Sequence, residues 1–168
     1  PTTLALTATA TEQVARDIQQ NLLGKTHQVF RYGMDRKNIG LIVDKSGEEK
    51  DTLLMHYLQQ LSGAGIIYCA TRNKVEELYQ KLRGKYSVGY YHGGLASDQR
   101  KVLQQQFSRN ELQLLIATNA FGMGINKQDI RFVIHYDLPD SLENYSQEIG
   151  RAGRDGKQSY AILLYRPG

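Results

Sequence analysis

Apolar residues with helical spacing alternate along the chain with short, continuous apolar runs. In the helical segments the apolar residues recur three or four positions apart, as one face of an α-helix requires. The three sets are Leu53, Leu54, Tyr57, Leu58 and Leu61; Val75, Leu78, Tyr79 and Leu82; and Leu103 with Phe107. Thr71 and Ser97 precede the second and third sets, where a hydroxyl group can cap the first turn. The spacing therefore predicts three amphipathic helices.

The continuous apolar runs between these helices predict β-strands. They are Ile39–Val43, Ile66–Cys69, Val88–Tyr91, Leu112–Ala117, Phe132–Tyr136 and Tyr160–Tyr165. A run without polar alternation indicates a strand that is buried on both faces, as in a parallel sheet. Strands that alternate with helices at this spacing predict an α/β fold, a doubly wound and mainly parallel sheet flanked by helices.

Each unusual loop of the chain follows one of these predicted strands. The loops are Ala70–Asn73, His92–Leu95, Thr118–Asn126 and the segment from Asp137 through Gly156. In doubly wound sheets, ligands bind beyond the carboxyl ends of the strands. We therefore expect all four loops to form a single functional rim.

The first part of the chain has a different pattern. A short strand (Leu4–Leu6) and the threonine-rich segment Thr7–Thr11 precede an amphipathic helix, and residues 24–38 then lack regular periodicity. We expect residues 1–25 to end a preceding domain, residues 26–38 to connect two domains, and residues 39–168 to form the main domain. The chain starts in mid-pattern and is expected to be part of a longer protein.

Composition narrows the function classes only slightly. The 168 residues carry a net charge of +4, which is weak support for a polyanionic partner. With its single cysteine, Cys69, the chain can form neither an internal disulfide nor a cysteine-based zinc site. No apolar stretch approaches the length that spans a membrane, so we expect no membrane contact and no zinc in this segment.

Two arginines stand in a glycine-rich stretch near the end of the chain. Gln147–Gly156 reads Gln-Glu-Ile-Gly-Arg-Ala-Gly-Arg-Asp-Gly and includes Arg151 and Arg154. Guanidinium groups stay charged and match phosphate oxygens with planar forks of donors, as arginine fingers do in nucleotide hydrolysis. The 168 residues contain no Gly-x-x-x-x-Gly-Lys-Ser/Thr loop. A phosphate cradle must therefore lie on another segment.

Several motifs in order resemble the second motor lobe of superfamily-2 helicases, most closely RecQ-type DNA helicases. Residues 117–127 (Ala-Thr-Asn-Ala-Phe-Gly-Met-Gly-Ile-Asn-Lys) and 147–156 are similar to helicase motifs V and VI. Residues 66–72 resemble motif IV, residues 91–95 with Arg100 the family segment that follows it, and residues 7–11 motif III. The chain departs from the family pattern at Lys37, Gly40 and Gln128, which leaves its subtype open.

The resemblance implies a RecA-like fold of the P-loop NTPase type and an ATP-driven DNA helicase. ATP with Mg²⁺ would be held mainly by the first RecA-like lobe, which is the expected partner of this chain. Arg151 and Arg154 would act as catalytic arginine fingers on the γ-phosphate. Gln147, Gly124 and Asn126 would contribute to nucleotide binding, and no residue of the chain is assigned to a metal. On its own, the chain is expected to be inactive.

The resemblance also implies a path for DNA. The residues expected to contact it are Thr118, Arg72, Asn73, His92 and Arg100, while Thr7 and Thr9 would couple hydrolysis to movement. The expected partner is DNA, both as a single strand and as a duplex junction. The expected activity is 3′–5′ unwinding in DNA repair and recombination. The expected location is the bacterial cytoplasm and nucleoid or the eukaryotic nucleus. His135, inside a predicted strand, is expected to be a core residue.

Two other functions stay open at this point. The chain could be a non-catalytic nucleic-acid-binding module with a motor-like fold, although two intact arginines argue against that. It could also be a lobe of a DEAD-box-type RNA helicase, although the sequence of residues 121–127 favours the RecQ type.

Overall fold

The structure is a computed structural model that describes residues 27–31, 38–44, 49–92, 94–118, 127–137 and 142–164. Along the chain the elements are β1 (His27–Arg31), β2 (Ile39–Asp44), α1 (Lys50–Gln60), β3 (Ala64–Tyr68), α2 (Arg72–Leu82), β4 (Val88–Tyr91), α3 (Ser97–Ser108), β5 (Leu114–Ala117), β6 (Ile130–His135), α4 (Leu142–Ile149) and β7 (Ser159–Leu164). The six strands predicted from the apolar runs correspond to β2 through β7, and the three predicted helices to α1 through α3.

The strands form one sheet in the order β1-β2-β7-β6-β3-β5-β4. Strands β2 through β7 pair in parallel, and only the pair β1 with β2 is antiparallel. The predicted doubly wound, mainly parallel fold is therefore confirmed. Because six strands point the same way, the sheet has an amino edge, where they begin, and a carboxyl edge, where they end.

Strand β1 lies inside the segment whose sequence lacks regular periodicity. It pairs antiparallel with β2, with His27 opposite Asp44 and Arg31 opposite Gly40. An outermost strand is held mainly by backbone hydrogen bonds on one side, which require no apolar run in the sequence. The apolar pattern thus did not predict a strand over residues 27–31, while the connector over residues 26–38 and the proposed domain boundaries stay predictions.

Apolar side chains pack on both faces of the sheet. Helices α1 and α2 cover one face, where Tyr57 and Leu78 pack in a cluster with strand residues such as Ile134. Helices α3 and α4 cover the other face through Phe107 and Ile149. Each fully buried side chain of this size contributes roughly 1.5–3 kcal/mol to stability. The result is a three-layer α/β/α arrangement that holds both edges of the sheet rigidly.

Helix caps agree with the sequence at one of two sites. Thr71 caps α2 as predicted, since its Oγ1 accepts a hydrogen bond from Lys74 N at 3.1 Å. The cap predicted at Ser97 is wrong because α3 begins at that residue and Ala96 holds the cap position. There the Gln99 side chain satisfies the helix start, with its Oε1 accepting from Ala96 N at 3.1 Å.

Cys69 is buried, and burial raises the pKa of its thiol. Across the described ranges, no helix combines the length and apolarity needed to cross a membrane.

Candidate functional site

Four loops meet along the carboxyl edge of the sheet. They follow β4, β5, β3 and β6, which are neighbours in that order, and they start at His92, Thr118, Cys69 and Tyr136. Neighbouring strands are about 4.8 Å apart, so this row of strand ends is about 14 Å wide. The structure thus brings the segment that resembles motif IV close to Ala117 and Thr118, the first two residues of the segment that resembles motif V.

His92 holds the loop after β4 in place. Its side chain is buried, its Nδ1 accepts from Gly94 N at 3.0 Å, and its Nε2 lies 3.0 Å from Glu76 Oε2. Because Nδ1 accepts, the ring proton is assigned to Nε2, which donates to the carboxylate. The imidazole therefore orients the backbone of its loop, and any contact of this segment with DNA would come from that backbone.

Arg72 lies against the same loop. It is exposed at the first turn of α2, and its Nη1 is 3.1 Å from the position that a Cβ atom on Gly94 would occupy. A side chain at position 94 would displace this guanidinium group. Asn73 is also exposed beside it. The start of α2 therefore presents Arg72 and Asn73 together to solvent, beside the loop after β4.

The other predicted DNA contacts are less exposed. Thr118 is half-buried at the end of β5. Arg100, on α3, is half-buried and its Nη2 lies 3.5 Å from Ser97 Oγ. Arg100 Nε is buried and makes no hydrogen bond within the described part of the chain. Thr118 directly follows β5 and Arg100 lies in the first turn of α3, so both are near the carboxyl edge.

Asp137 was not identified from the sequence as a site residue. Its Oδ2 accepts from Ala70 N at 2.7 Å and its Oδ1 from Lys50 Nζ at 3.1 Å. The carboxylate therefore connects the end of β6 to the loop that leads into Arg72. The available signal was its position, since an aspartate that directly follows a buried strand can bond to the neighbouring loop.

The arginine loop, residues 150–156, lies at the opposite edge of the sheet. Gly153 N donates to Ile130 O at 2.8 Å, and Asp155 N donates to Gln128 O at 2.9 Å. Ile130 is the first residue of β6, so these bonds hold the loop at the amino edge. The expectation of a single rim is therefore wrong for this loop. Helix α4 follows β6 and leads the chain back toward the start of β7.

An ion pair further anchors the loop. Arg131 Nη2 lies 2.5 Å from Asp155 Oδ1, and Asp155 Oδ1 also accepts from Lys157 N at 3.0 Å. Burial alone would raise the pKa of Asp155, but hydrogen bonds from Arg131 and from the Lys157 backbone outweigh it and lower the pKa. The loop thus has a charged anchor that does not use either predicted arginine finger.

The two arginines of the loop differ in their surroundings. Arg151 is half-buried. Burial of Tyr68 raises the pKa of the Tyr68 hydroxyl, and the positive charge of Arg151 partly opposes this rise. Arg154 is exposed, with no hydrogen bond or ion pair to any residue that the structure describes. Gln147, one turn earlier on α4, is exposed as well. A fixed loop therefore presents a charged guanidinium group to solvent.

A buried polar pair ties α4 to the sheet. His135 Nε2 lies 2.8 Å from Glu148 Oε1, and both side chains are almost fully buried. The His135 ring stacks on Tyr68 at 5.1 Å and meets the edge of Tyr145 at 4.8 Å. His135 is thus a core residue, as expected. The pair fixes the helix that carries the arginine loop.

Lys127 ends the glycine-rich segment with a buried ammonium group. Its Nζ donates to Asn110 Oδ1 at 2.6 Å, lies 3.0 Å from Asp129 Oδ1, and sits 5.5 Å from the centre of the Phe107 ring. These contacts anchor the segment where it joins β6. Sequence reasoning quoted this lysine as part of the motif but gave it no role.

Four predicted site residues, Gly124, Asn126, Thr7 and Thr9, lie outside the described residues, as does the strand predicted at Leu4–Leu6. Within the described ranges, no group of three or more histidine, cysteine or acidic side chains is arranged to hold a metal ion.

Solved structures of DEAD-box proteins have a similar fold. The C-terminal domain of the DEAD-box protein Dbp5 superposes with a TM-score of 0.66 at 30% identity, covering 74% of both chains. The E. coli DEAD-box protein SrmB gives a TM-score of 0.65 at 28% identity, again over 74% of each chain. The parallel sheet with its flanking helices and these superpositions thus define a RecA-like lobe of the kind found in helicases.

Sequence relatives define the family more narrowly. Residues 49–156 match the family described as "Helicase conserved C-terminal domain". The probable ATP-dependent DNA helicase RecS of Bacillus subtilis is 47% identical over 100% of this chain, and the ATP-dependent DNA helicase RecQ of the same organism is 46% identical over 99%. The chain belongs to the RecQ-type helicases and is the C-terminal motor lobe of that family. It spans 35% and 28% of the lengths of these two relatives.

Proposed function

We propose that this chain is the second motor lobe of an ATP-dependent DNA helicase that moves 3′–5′ along one strand. Relatives at 46–47% identity are named ATP-dependent DNA helicases, which supports the reaction and the polymer. ATP with Mg²⁺ would be held mainly by a P-loop lobe joined to this chain through residues 26–38. Such a protein acts where its DNA is, in the nucleoid or the nucleus.

The observation that carries this proposal is the exposed guanidinium group of Arg154 on an anchored loop. A loop held by backbone bonds to Ile130 and Gln128 costs little to hold in position when ATP arrives. Arg154, with Arg151 beside it, would stabilise the charge that develops on the γ-phosphate, and Gln147 would orient the nucleotide. In related hydrolases an arginine finger is worth about 10³–10⁵ in turnover.

The carboxyl edge would bind the DNA strand. Arg72 and Asn73 are exposed there, and Thr118 and Arg100 lie at the ends of neighbouring elements. His92 would contribute by shaping its loop. Such phosphate contacts supply affinity and salt dependence without sequence preference. Because this edge is opposite the arginine loop, DNA and ATP would occupy separate surfaces of the lobe.

Two segments, residues 119–126 and residues 7–11, would connect the DNA-binding surface with the ATP-binding surface. Residues 119–126, which include Gly124 and Asn126, join Thr118 at the carboxyl edge to the anchor at Lys127. We assign nucleotide contacts to Gly124 and Asn126, and we assign coupling between the lobes to Thr7 and Thr9. A segment that responds to ATP at one end and to DNA at the other would let hydrolysis change the grip on the strand.

The test is single-strand-stimulated ATP hydrolysis by the two-lobe protein, in which this chain follows its P-loop lobe. Arg154→Ala should lower kcat about a thousandfold while DNA affinity is retained. Arg109→Ala is the matched control, since Arg109 is another exposed arginine that follows a helix. Normal turnover by Arg154→Ala would refute the arginine-finger role and favour a non-catalytic binding module.

An RNA substrate is the second candidate. A relative at 42% identity is named a putative ATP-dependent RNA helicase, from Acanthamoeba polyphaga mimivirus. Stimulation of ATP hydrolysis by DNA and RNA strands of equal length and sequence separates the two functions. We expect DNA to stimulate more strongly, and preferential stimulation by RNA would replace the DNA helicase with an RNA-dependent motor.

A further inference from the structure

Asn38, which directly precedes β2 at the amino edge of the sheet, contacts the arginine loop. Its Nδ2 donates to Gly153 O at 2.7 Å and to Lys157 O at 2.9 Å. Its backbone O accepts from Ser159 N at 2.9 Å. One side chain thus bonds to both ends of the segment that contains Arg154, although it is 115 residues away in sequence from Gly153.

The Gly153 carbonyl belongs to the peptide unit that begins Arg154. Asn38 holds the oxygen of this peptide, and the preceding peptide is held through Gly153 N, which donates to Ile130 O at 2.8 Å. Peptide units are planar and rigid. Holding this oxygen therefore fixes the backbone direction from which the Arg154 side chain leaves the loop.

The absence of a side chain at Gly153 lets Asn38 approach its backbone closely. Its φ angle is +59°, a conformation that glycine adopts without strain, and a Cβ atom there would lie 2.4 Å from Asn38 Nδ2 and 2.7 Å from Ser159 Oγ. Any larger residue would push the amide away from the carbonyl that it holds. The loop and the asparagine are therefore complementary to one another.

From these contacts we propose that Asn38 is a positioning residue for the arginine finger. The inference rests on the proposed function, because it requires that Arg154 act on ATP. Asn38 is also the last residue of the proposed connector between the lobes. It therefore links the segment that joins the lobes directly to the loop that must reach across them. A displacement of about 1 Å in a catalytic group can cost about 10²-fold in rate.

The experiment compares Asn38→Ala with Gln113→Ala in the two-lobe protein. Gln113 is the matched control, since its Nε2 donates to Gly63 O at 3.2 Å near the same edge but away from the arginine loop. We expect Asn38→Ala to lower kcat by about tenfold or more, with KM for ATP, DNA affinity and Tm unchanged. Gln113→Ala should keep the wild-type kcat.

A double-mutant cycle with Arg154→Lys tests whether Asn38 acts through the finger. Lysine at 154 lacks the planar fork, so exact placement of its backbone matters less. The loss caused by Asn38→Ala should then shrink to about twofold or less in the Arg154→Lys background. An equal loss in both backgrounds would show a merely structural role and overturn the inference.

A pair of glycine variants tests the same contact from the other side. Gly153→Ala and Gly156→Ala both place a Cβ atom at positive φ, but nothing lies within 4 Å of a Cβ on Gly156. Gly153→Ala should therefore lose more kcat than Gly156→Ala, and equal losses would contradict the contact with Asn38.

If Arg154→Ala itself hydrolyses ATP normally, the proposed function fails. If Arg154→Ala is inactive and Asn38→Ala is normal, only this inference fails.

Discussion

The two edges of the sheet hold their charged groups in different ways. At the carboxyl edge, Asp137 pairs with Lys50 at 3.1 Å and Glu76 with His92 at 3.0 Å, so several charges there are already engaged. At the amino edge, backbone bonds and the ion pair of Arg131 with Asp155 anchor the arginine loop, and Arg154 stays exposed. Charged side chains at the carboxyl edge therefore fix the conformation of loops, whereas the arginine loop leaves the Arg154 side chain exposed to solvent.

This difference has a physical rationale. Strand binding needs many modest contacts, whose sum supplies affinity, so side chains that fix loops are as useful there as side chains that touch DNA. Charge stabilisation in a transition state needs one group placed accurately and free of competing partners. We therefore expect substitutions at the two edges to separate binding from turnover, with α4 as the element that connects them.

The largest effect is expected where α4 is tied to the sheet. Glu148→Ala leaves the buried His135 Nε2 without this hydrogen-bond partner, and an unsatisfied buried polar group costs about 1–3 kcal/mol. Urea denaturation measures the change, with the exposed Glu111→Ala as control. A loss below about 0.5 kcal/mol, the range of ordinary surface substitutions, would show that the pair does not hold the helix.

A local opening is expected when the carboxyl edge loses its carboxylate. Asp137→Ala removes the acceptor of Ala70 N, a bond to a charged group worth about 1.5–3 kcal/mol. Hydrogen exchange at the Ala70 amide should accelerate about tenfold or more, while the Gly153 amide at the amino edge keeps its wild-type rate. Equal acceleration at both amides would mean that the edges are not independent.

A smaller effect is expected on the DNA affinity of the two-lobe protein. Arg72→Gln should weaken single-strand binding severalfold and reduce the slope of log K against log salt concentration by about 1, because one phosphate contact is lost. Turnover at saturating DNA should persist. Arg83→Gln, an exposed arginine just after the other end of α2, is the control. An unchanged salt slope for Arg72→Gln would remove this residue from the DNA path.

The smallest effect is expected in acid. The pKa of Asp155 in the folded chain lies below its ordinary value of 3.8, so its stabilisation is complete above that value and is lost as the pH falls through the lowered pKa. Asp155→Asn should therefore reduce the loss of stability between pH 5 and about pH 2. Denaturation of both proteins across this range measures the difference, and parallel curves would show that the Arg131 pair contributes nothing measurable.

Much of the fold was predictable from the sequence because burial leaves a local pattern. Continuous apolar runs predicted β2 through β7, and helical spacing predicted α1 through α3, each from neighbouring residues alone. The motifs around Thr118 and Arg154 indicated the family for the same reason, since their chemistry is carried by residues close together in the chain. Strand β1 was not predicted because backbone pairing at the border of a sheet needs no apolar run.

Only the tertiary structure decided which edge each site occupies. Helix α4 leads the chain back across the sheet, so the arginine loop lies at the start of β6, although it belongs to the segment that follows that strand. The contacts of Asn38 with Gly153, of Asp137 with Ala70 and of His135 with Glu148 join residues 115, 67 and 13 positions apart. Such bonds depend on where folded elements meet, and hydrogen-bonding groups carry no periodic signal of a distant partner.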